Sequence, residues 1–144
     1  LIAMVNGMLE AGGAWVGIEQ LTLERVLGGL LQPLAWALGI PWDEAQLAGS
    51  LIGQKFILNE FVAYVSYSEV AGQLSPHAQA IVIFALCGFA NLSSIAILLG
   101  GLGAVAPGRR DDISRYGFRA LIAASLSNLM SAALAGFFLT LGAV

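Results

Sequence analysis

The residues able to do chemistry in this sequence gather in Gly53-Gln54-Lys55-Phe56-Ile57-Leu58-Asn59-Glu60-Phe61-Val62-Ala63-Tyr64. That stretch sets an amide, an ammonium, a second amide and a carboxylate in the middle of a very apolar polypeptide. Ionisable groups at membrane depth are expensive to bury, so they are usually there for a substrate, an ion or a proton. A second polar group stands in Gly88-Phe89-Ala90-Asn91-Leu92-Ser93-Ser94. There glycine supplies backbone freedom, and Asn and Ser supply the hydrogen-bonding groups an unwound turn needs. Asn91 and Ser94 are three residues apart and share one face of a helix.

Each of these residues also has a plainer reading. Glu60 can pair with Lys55, five residues away across a turn, as buried charges commonly do. Lys55 itself suits an ion-pair partner or an anchor better than a direct ligand. Asn91 and Ser94 can satisfy backbone freed by a helix break, and Phe89 can be ordinary packing. Asn128 suits interhelical hydrogen bonding, while Tyr64, Tyr67 and Glu69 suit packing or a cavity mouth. His77, beside a proline at a helix start, suits a surface position. Cys87, the one cysteine, lies in an apolar run and suits a small core residue. Enzymatic chemistry is the weakest reading, because the sequence shows no metal-ligand cluster, nucleophile–base pair or phosphate-cradling loop.

The elements that must position these groups belong to a membrane protein. Of 144 residues, 58% are hydrophobic and only 10% charged, with a mean hydropathy of +0.85. A soluble domain carries about a quarter charged residues. The net charge of -3 argues for no particular partner, and six basic residues, four of them in one short segment, exclude a nucleic-acid face. The chain opens inside an apolar run, Leu1-Ile2-Ala3-Met4-Val5, with no basic region ahead of it. That is the expectation for a C-terminal portion of a longer protein.

Along the chain, residues 1–18 read as the end of a membrane helix, with Trp15 at an interface. Thr22 is a helix N-cap, and the pattern after Arg25, with Pro33, Trp36, Pro41 and Trp42, fits an amphipathic interfacial helix. Asp43-Glu44 opens a helix from about Ala45 that breaks near 57–59 and resumes as 61–70. Arms of about ten residues are half of the roughly 20 needed to cross a bilayer, which predicts a re-entrant hairpin, with one continuous kinked span as the alternative. Ser75 and Pro76 start a further segment as N-cap and first helical residue. The apolar run 78–106 is interrupted in its middle, which predicts a discontinuous helix. The strongly charged loop 107–119 faces the cytoplasm by the positive-inside rule, and a last span covers about 116–141. The predicted architecture is all-α and membrane-integral.

Three of these stretches carry a resemblance. Gly53-Gln54-Lys55…Asn59-Glu60-Phe61-Val62-Ala63-Tyr64, Cys87-Gly88-Phe89-Ala90-Asn91-Leu92-Ser93-Ser94-Ile95 and Leu126-Ser127-Asn128-Leu129-Met130 resemble the C-terminal half of concentrative nucleoside transporters. The resemblance implies the second of two inverted repeats. Residues 1–42 become the end of a scaffold helix and an interfacial helix, 43–73 a re-entrant hairpin, 74–107 a discontinuous helix, and 108–144 a cytoplasmic loop with the last transmembrane helix. It further implies that Glu60, Asn91 and Ser94 bind ribose and that Phe89 lies near the base. Implied partners are a nucleoside, membrane lipid and two further copies in a homotrimer, with no nucleic acid. The implied setting is the bacterial inner membrane. No covalent cofactor and no metal site within this chain is expected. The coupling cation, sodium or proton, belongs to the absent first repeat, so the chain holds half a binding site.

Overall fold

Helix starts follow the capping side chains. The Thr22 hydroxyl accepts from the Arg25 amide at 3.3 Å, and Ser75 does the same for Ala78 at 3.3 Å, each satisfying an amide left open in a first turn. The computed structural model describes residues 2–18 and 20–142, and among them the chain is helical with no β-strand. In order the helices are α1 (Ile2–Val16), α2 (Leu23–Ala37), α3 (Trp42–Ile57), α4 (Glu60–Val70), α5 (Pro76–Leu86), α6 (Leu92–Val105) and α7 (Arg110–Gly142). Short 3₁₀ turns, Ala71–Gln73 and Pro107–Arg109, precede α5 and α7. Leu1 and residues 143–144, which the sequence places in the first and last segments, lie outside the described residues.

The core lies between α3 and α5, closed by α2, α4 and α7. Ala45, Ala48, Leu51 and Ile52 of α3 meet Ala78, Ile81, Val82 and Ala85 of α5, with Ala35, Ala63, Leu129 and Ala132 around them. Small residues set the spacing. A Cβ added at Gly49 would stand 2.9 Å from the Leu31 backbone carbon, so α2 and α3 touch main chain to main chain. Gly39, at φ 102°, turns the chain from α2 towards Trp42, and Trp36 and Trp42 meet edge to face there, both largely exposed.

Side-chain hydrogen bonds then fasten the elements. Glu44, in the first turn of α3, accepts the amide and hydroxyl of Ser75 at 2.8 and 3.0 Å, tying together the starts of α3 and α5. Across α3 and α4, Ser66 donates to Gln54 at 2.8 Å. Asn6 holds α1 to α2 by donating to Glu24 at 3.1 Å and accepting from the Leu23 amide at 2.8 Å.

Three expectations change. The first arm of the hairpin has 16 residues rather than about ten, because helix begins at Trp42, directly after Pro41, with Asp43 and Glu44 favouring the first turn. The charged segment 107–119 is mostly helix. After one 3₁₀ turn α7 starts at Arg110, with Asp111 and Asp112 at its positive end and an Arg109–Asp112 ion pair of 2.8 Å. His77 is half-buried rather than on the surface, wedged beside Gly39 and Gly136. Pro107–Gly142 is long and apolar enough to cross a membrane.

Candidate functional site

The polar residues fall at two interruptions, the α3–α4 turn and the α5–α6 break. At the turn, α3 closes with the Leu58 amide donating to Gln54 at 2.8 Å. Asn59, in extended conformation, then caps α4, its side-chain oxygen accepting from the Val62 amide at 2.9 Å. Glu60 follows as the first residue of α4. Its carboxylate is half-buried and makes no hydrogen bond or salt bridge with any described residue. The Glu60–Lys55 ion pair open to the sequence is not formed.

At the break, Asn91 repeats the role of Asn59. It is extended, buried and the N-cap of α6, with Ser94 completing a reciprocal capping box. The Asn91 side-chain oxygen accepts from the Ser94 amide at 3.0 Å, the Ser93 hydroxyl at 2.7 Å and the Ser94 hydroxyl at 3.1 Å. Its amide nitrogen and the Ser94 hydroxyl both donate to the Phe89 carbonyl, at 3.1 and 2.8 Å. Asn91 and Ser94 therefore satisfy broken backbone in this conformation. Phe89 itself is 77% exposed and, with Ser94, Ile95, Gly117 and Leu121, lines an open apolar cleft of about 290 Å³ between α6 and α7.

On the other side of the break, the last carbonyls of α5 are taken by side chains from three other helices. Tyr64 of α4 donates to Ile83 at 2.9 Å, and Asn128 of α7 to Phe84 at 3.2 Å and Ala85 at 2.6 Å. Lys55 of α3, fully buried, donates to the same Ala85 carbonyl at 2.8 Å. An ammonium at a helix C-terminus meets the negative end of the helix dipole. Lys55 is thus an anchor, and Asn128 an interhelical link. Gly88 lets them converge, since a Cβ there would lie 2.6 Å from the Asn128 oxygen and 3.1 Å from the Lys55 nitrogen.

Cys87 is exposed at the break rather than buried, 3.1 Å from the Tyr64 hydroxyl. Tyr64, which the sequence suits to packing or a cavity mouth, instead binds the end of α5 through its hydroxyl. A phenol in an apolar stretch needs a partner when partly buried, and that was the available signal. The two interruptions adjoin, because the Ser93 hydroxyl reaches the Leu58 carbonyl at 3.4 Å. The break capped by Asn91 and Ser94 therefore adjoins the turn that leads into Glu60, whereas the cleft lined by Phe89 and Ser94 opens between α6 and α7. Among the described residues no group of three or more His, Cys, Asp or Glu could hold a metal ion.

Residues 1–136 match the sequence profile of the Na⁺-dependent nucleoside transporter C-terminus. The chain is 55% identical over 132 residues to the putative nucleoside permease NupX of Escherichia coli K12, covering 90% of this chain and 32% of that protein. To the nucleoside permease NupC of Helicobacter pylori it is 48% identical over 148 residues, covering 99% and 35%. The structure of CNTnw in an inward-facing substrate-bound state superposes with a TM-score of 0.93 at 55% identity, over 99% of this chain and 36% of that one. The chain thus spans about a third of the length of these relatives. Profile, identity and superposition cover nearly the whole of it, and the chain belongs to the concentrative, Na⁺-dependent nucleoside transporter family, matching its C-terminal region.

Proposed function

We propose that this chain is the C-terminal part of a cation-coupled nucleoside symporter, in which Glu60 grips the ribose hydroxyls near the membrane midplane. The observation that carries this is the Glu60 carboxylate, half-buried where two interrupted helices adjoin and bonded to none of the described residues. An ionised carboxylate is an acceptor only, with room for two hydroxyl donors. Asn91 and Ser94 assist. Beyond their capping bonds, Asn91 retains a second amide N–H and Ser94 a lone pair. Phe89 offers an exposed ring to the base. A site built to bond a hydroxyl rejects analogues lacking it, because its own groups are left unpaired.

The arrangement in the membrane follows the same reading. The 11 residues of α4 extend only about 17 Å, short of the roughly 30 Å hydrocarbon core, so residues 43–73 enter and leave by one side. Helices α5 and α6 together cross, interrupted at depth where protein surrounds the open backbone, and α7 crosses back from an arginine-rich cytoplasmic start. Residues 1–42 supply the end of a scaffold helix and the interfacial helix. The coupling cation binds outside this chain. The whole is a multi-pass homotrimer of the bacterial inner membrane that works by alternating access, as inverted-repeat transporters do.

The test is uptake of radiolabelled uridine and adenosine by vesicles holding the complete transporter that carries this sequence. It is run with and without a sodium gradient and with 2′- and 3′-deoxy competitors. Saturable uptake that discriminates against missing hydroxyls is expected. Non-saturable flux of any nucleoside would replace this function with that of a channel-like module.

A further inference from the structure

Lys55 is costlier than its bond requires. Its side chain is completely buried, yet among the described residues the ammonium makes one hydrogen bond, to the Ala85 carbonyl, and no salt bridge. That carbonyl also accepts from Asn128 at 2.6 Å, so it keeps a donor even without the lysine. An apolar side chain of similar volume would fill the place and avoid burying a charge. What such a side chain would not supply is positive charge. Lys55 stands in the last turn of α3 and Glu60 opens α4, across the Leu58–Asn59 turn, and among the described residues no salt bridge joins them. The other ionisable groups facing this spot are Cys87 and Tyr64.

We infer that Lys55 is a positioning residue for the nucleoside site: a counter-charge for Glu60, held at the Ala85 carbonyl so that it balances the carboxylate without occupying its oxygens. The inference rests on the ribose-binding role proposed for Glu60. A direct ion pair would neutralise the carboxylate and also compete with the ribose hydroxyls for its lone pairs. Tethering the ammonium to the end of α5 separates the two effects. The hairpin and the broken helix thereby share one charge balance, with the cation on α3, its tether on α5 and the anion on α4. The Lys55 ammonium also stands over the Phe56 ring, 5.4 Å from its centre.

The test is a double-mutant cycle in the complete transporter, reading uridine affinity and thermal stability for Lys55→Met, Glu60→Gln and the pair. Lys55→Met should keep the thermal midpoint within a few degrees, because Asn128 still serves Ala85. Its uridine affinity should fall about tenfold or more, the scale of losing one charge-assisted interaction. In the Glu60→Gln background the same change should have little further effect, because no carboxylate remains to balance. The loss should also be smaller for a deoxy analogue that does not engage the carboxylate. Wild-type affinity in Lys55→Met, or losses that multiply in the double variant, would overturn the inference. So would a collapsed thermal midpoint, which would make Lys55 a structural bolt. A transporter that binds no nucleoside before any substitution would instead overturn the proposed function.

Discussion

The α3–α4 turn and the α5–α6 break begin alike. Each ends in an extended asparagine whose side chain caps the next helix, Asn59 for α4 and Asn91 for α6. They part in what satisfies the rest of the backbone. The turn is closed mainly by its own residues, with one long bond from Ser93 to the Leu58 carbonyl, and the side chain next to its cap, Glu60, has no hydrogen-bond or salt-bridge partner among the described residues. The break is held from outside by Tyr64, Lys55 and Asn128 on the last carbonyls of α5, and from within by Ser94 in the capping box. A locally closed turn can release a carboxylate for a ligand. An interruption in the middle of a run needs partners from its neighbours, because open carbonyls in an apolar setting cost several kcal/mol each.

Substitutions can break that contrast. The largest effect should come from Glu60→Gln, with nucleoside affinity down about 100-fold, as expected for a lost charged acceptor. Its thermal midpoint should fall by only a few degrees, since no hydrogen bond among the described residues is lost and only charge interactions at the start of α4 weaken; calorimetry beside equilibrium binding checks both. Gly88→Ala should destabilise by about 2 kcal/mol, because its methyl collides with the Asn128 amide, itself pinned by two bonds. Denaturant melts of the detergent-solubilised transporter would read it. Asn128→Leu should cost about 1.5 kcal/mol in the same assay, leaving the Phe84 carbonyl without its side-chain donor while Lys55 keeps Ala85. Tyr64→Phe should cost least, about 0.5 kcal/mol, since its bond to Ile83 is solvent-accessible in this chain. A stability loss in Glu60→Gln larger than in Asn128→Leu would reverse the contrast and assign the turn the structural role.

Much of the framework was legible in the residues. Thr22 and Ser75 were readable as caps because a short hydroxyl before an apolar periodic run has one obvious amide to serve. The interruption after Cys87 was readable from Gly88, Asn91 and the serines, which favour unwound backbone over continued helix. Helix at 110–116 was not readable as such: the density of charge suggests a loop, whereas Asp111 and Asp112 at a positive helix end and the Arg109–Asp112 pair support a helical first turn. The longer first arm had the same origin, because helix propensity alone does not mark where Pro41 releases the chain. Composition alone points Cys87 into the core, whereas it is exposed. Its apolar neighbours belong to the buried face of α5, while the break turns the thiol outward.

By itself the sequence determined that this is an all-helical, apolar chain with its few polar groups at two interruptions, since capping chemistry, glycine and hydropathy act over a handful of residues. Only the tertiary structure decided how those groups are divided. Whether Lys55 meets Glu60 five residues away or Ala85 thirty residues away depends on how α3 packs against α5. That packing is set by alanines and glycines spread over the chain, whose joint geometry no local pattern contains.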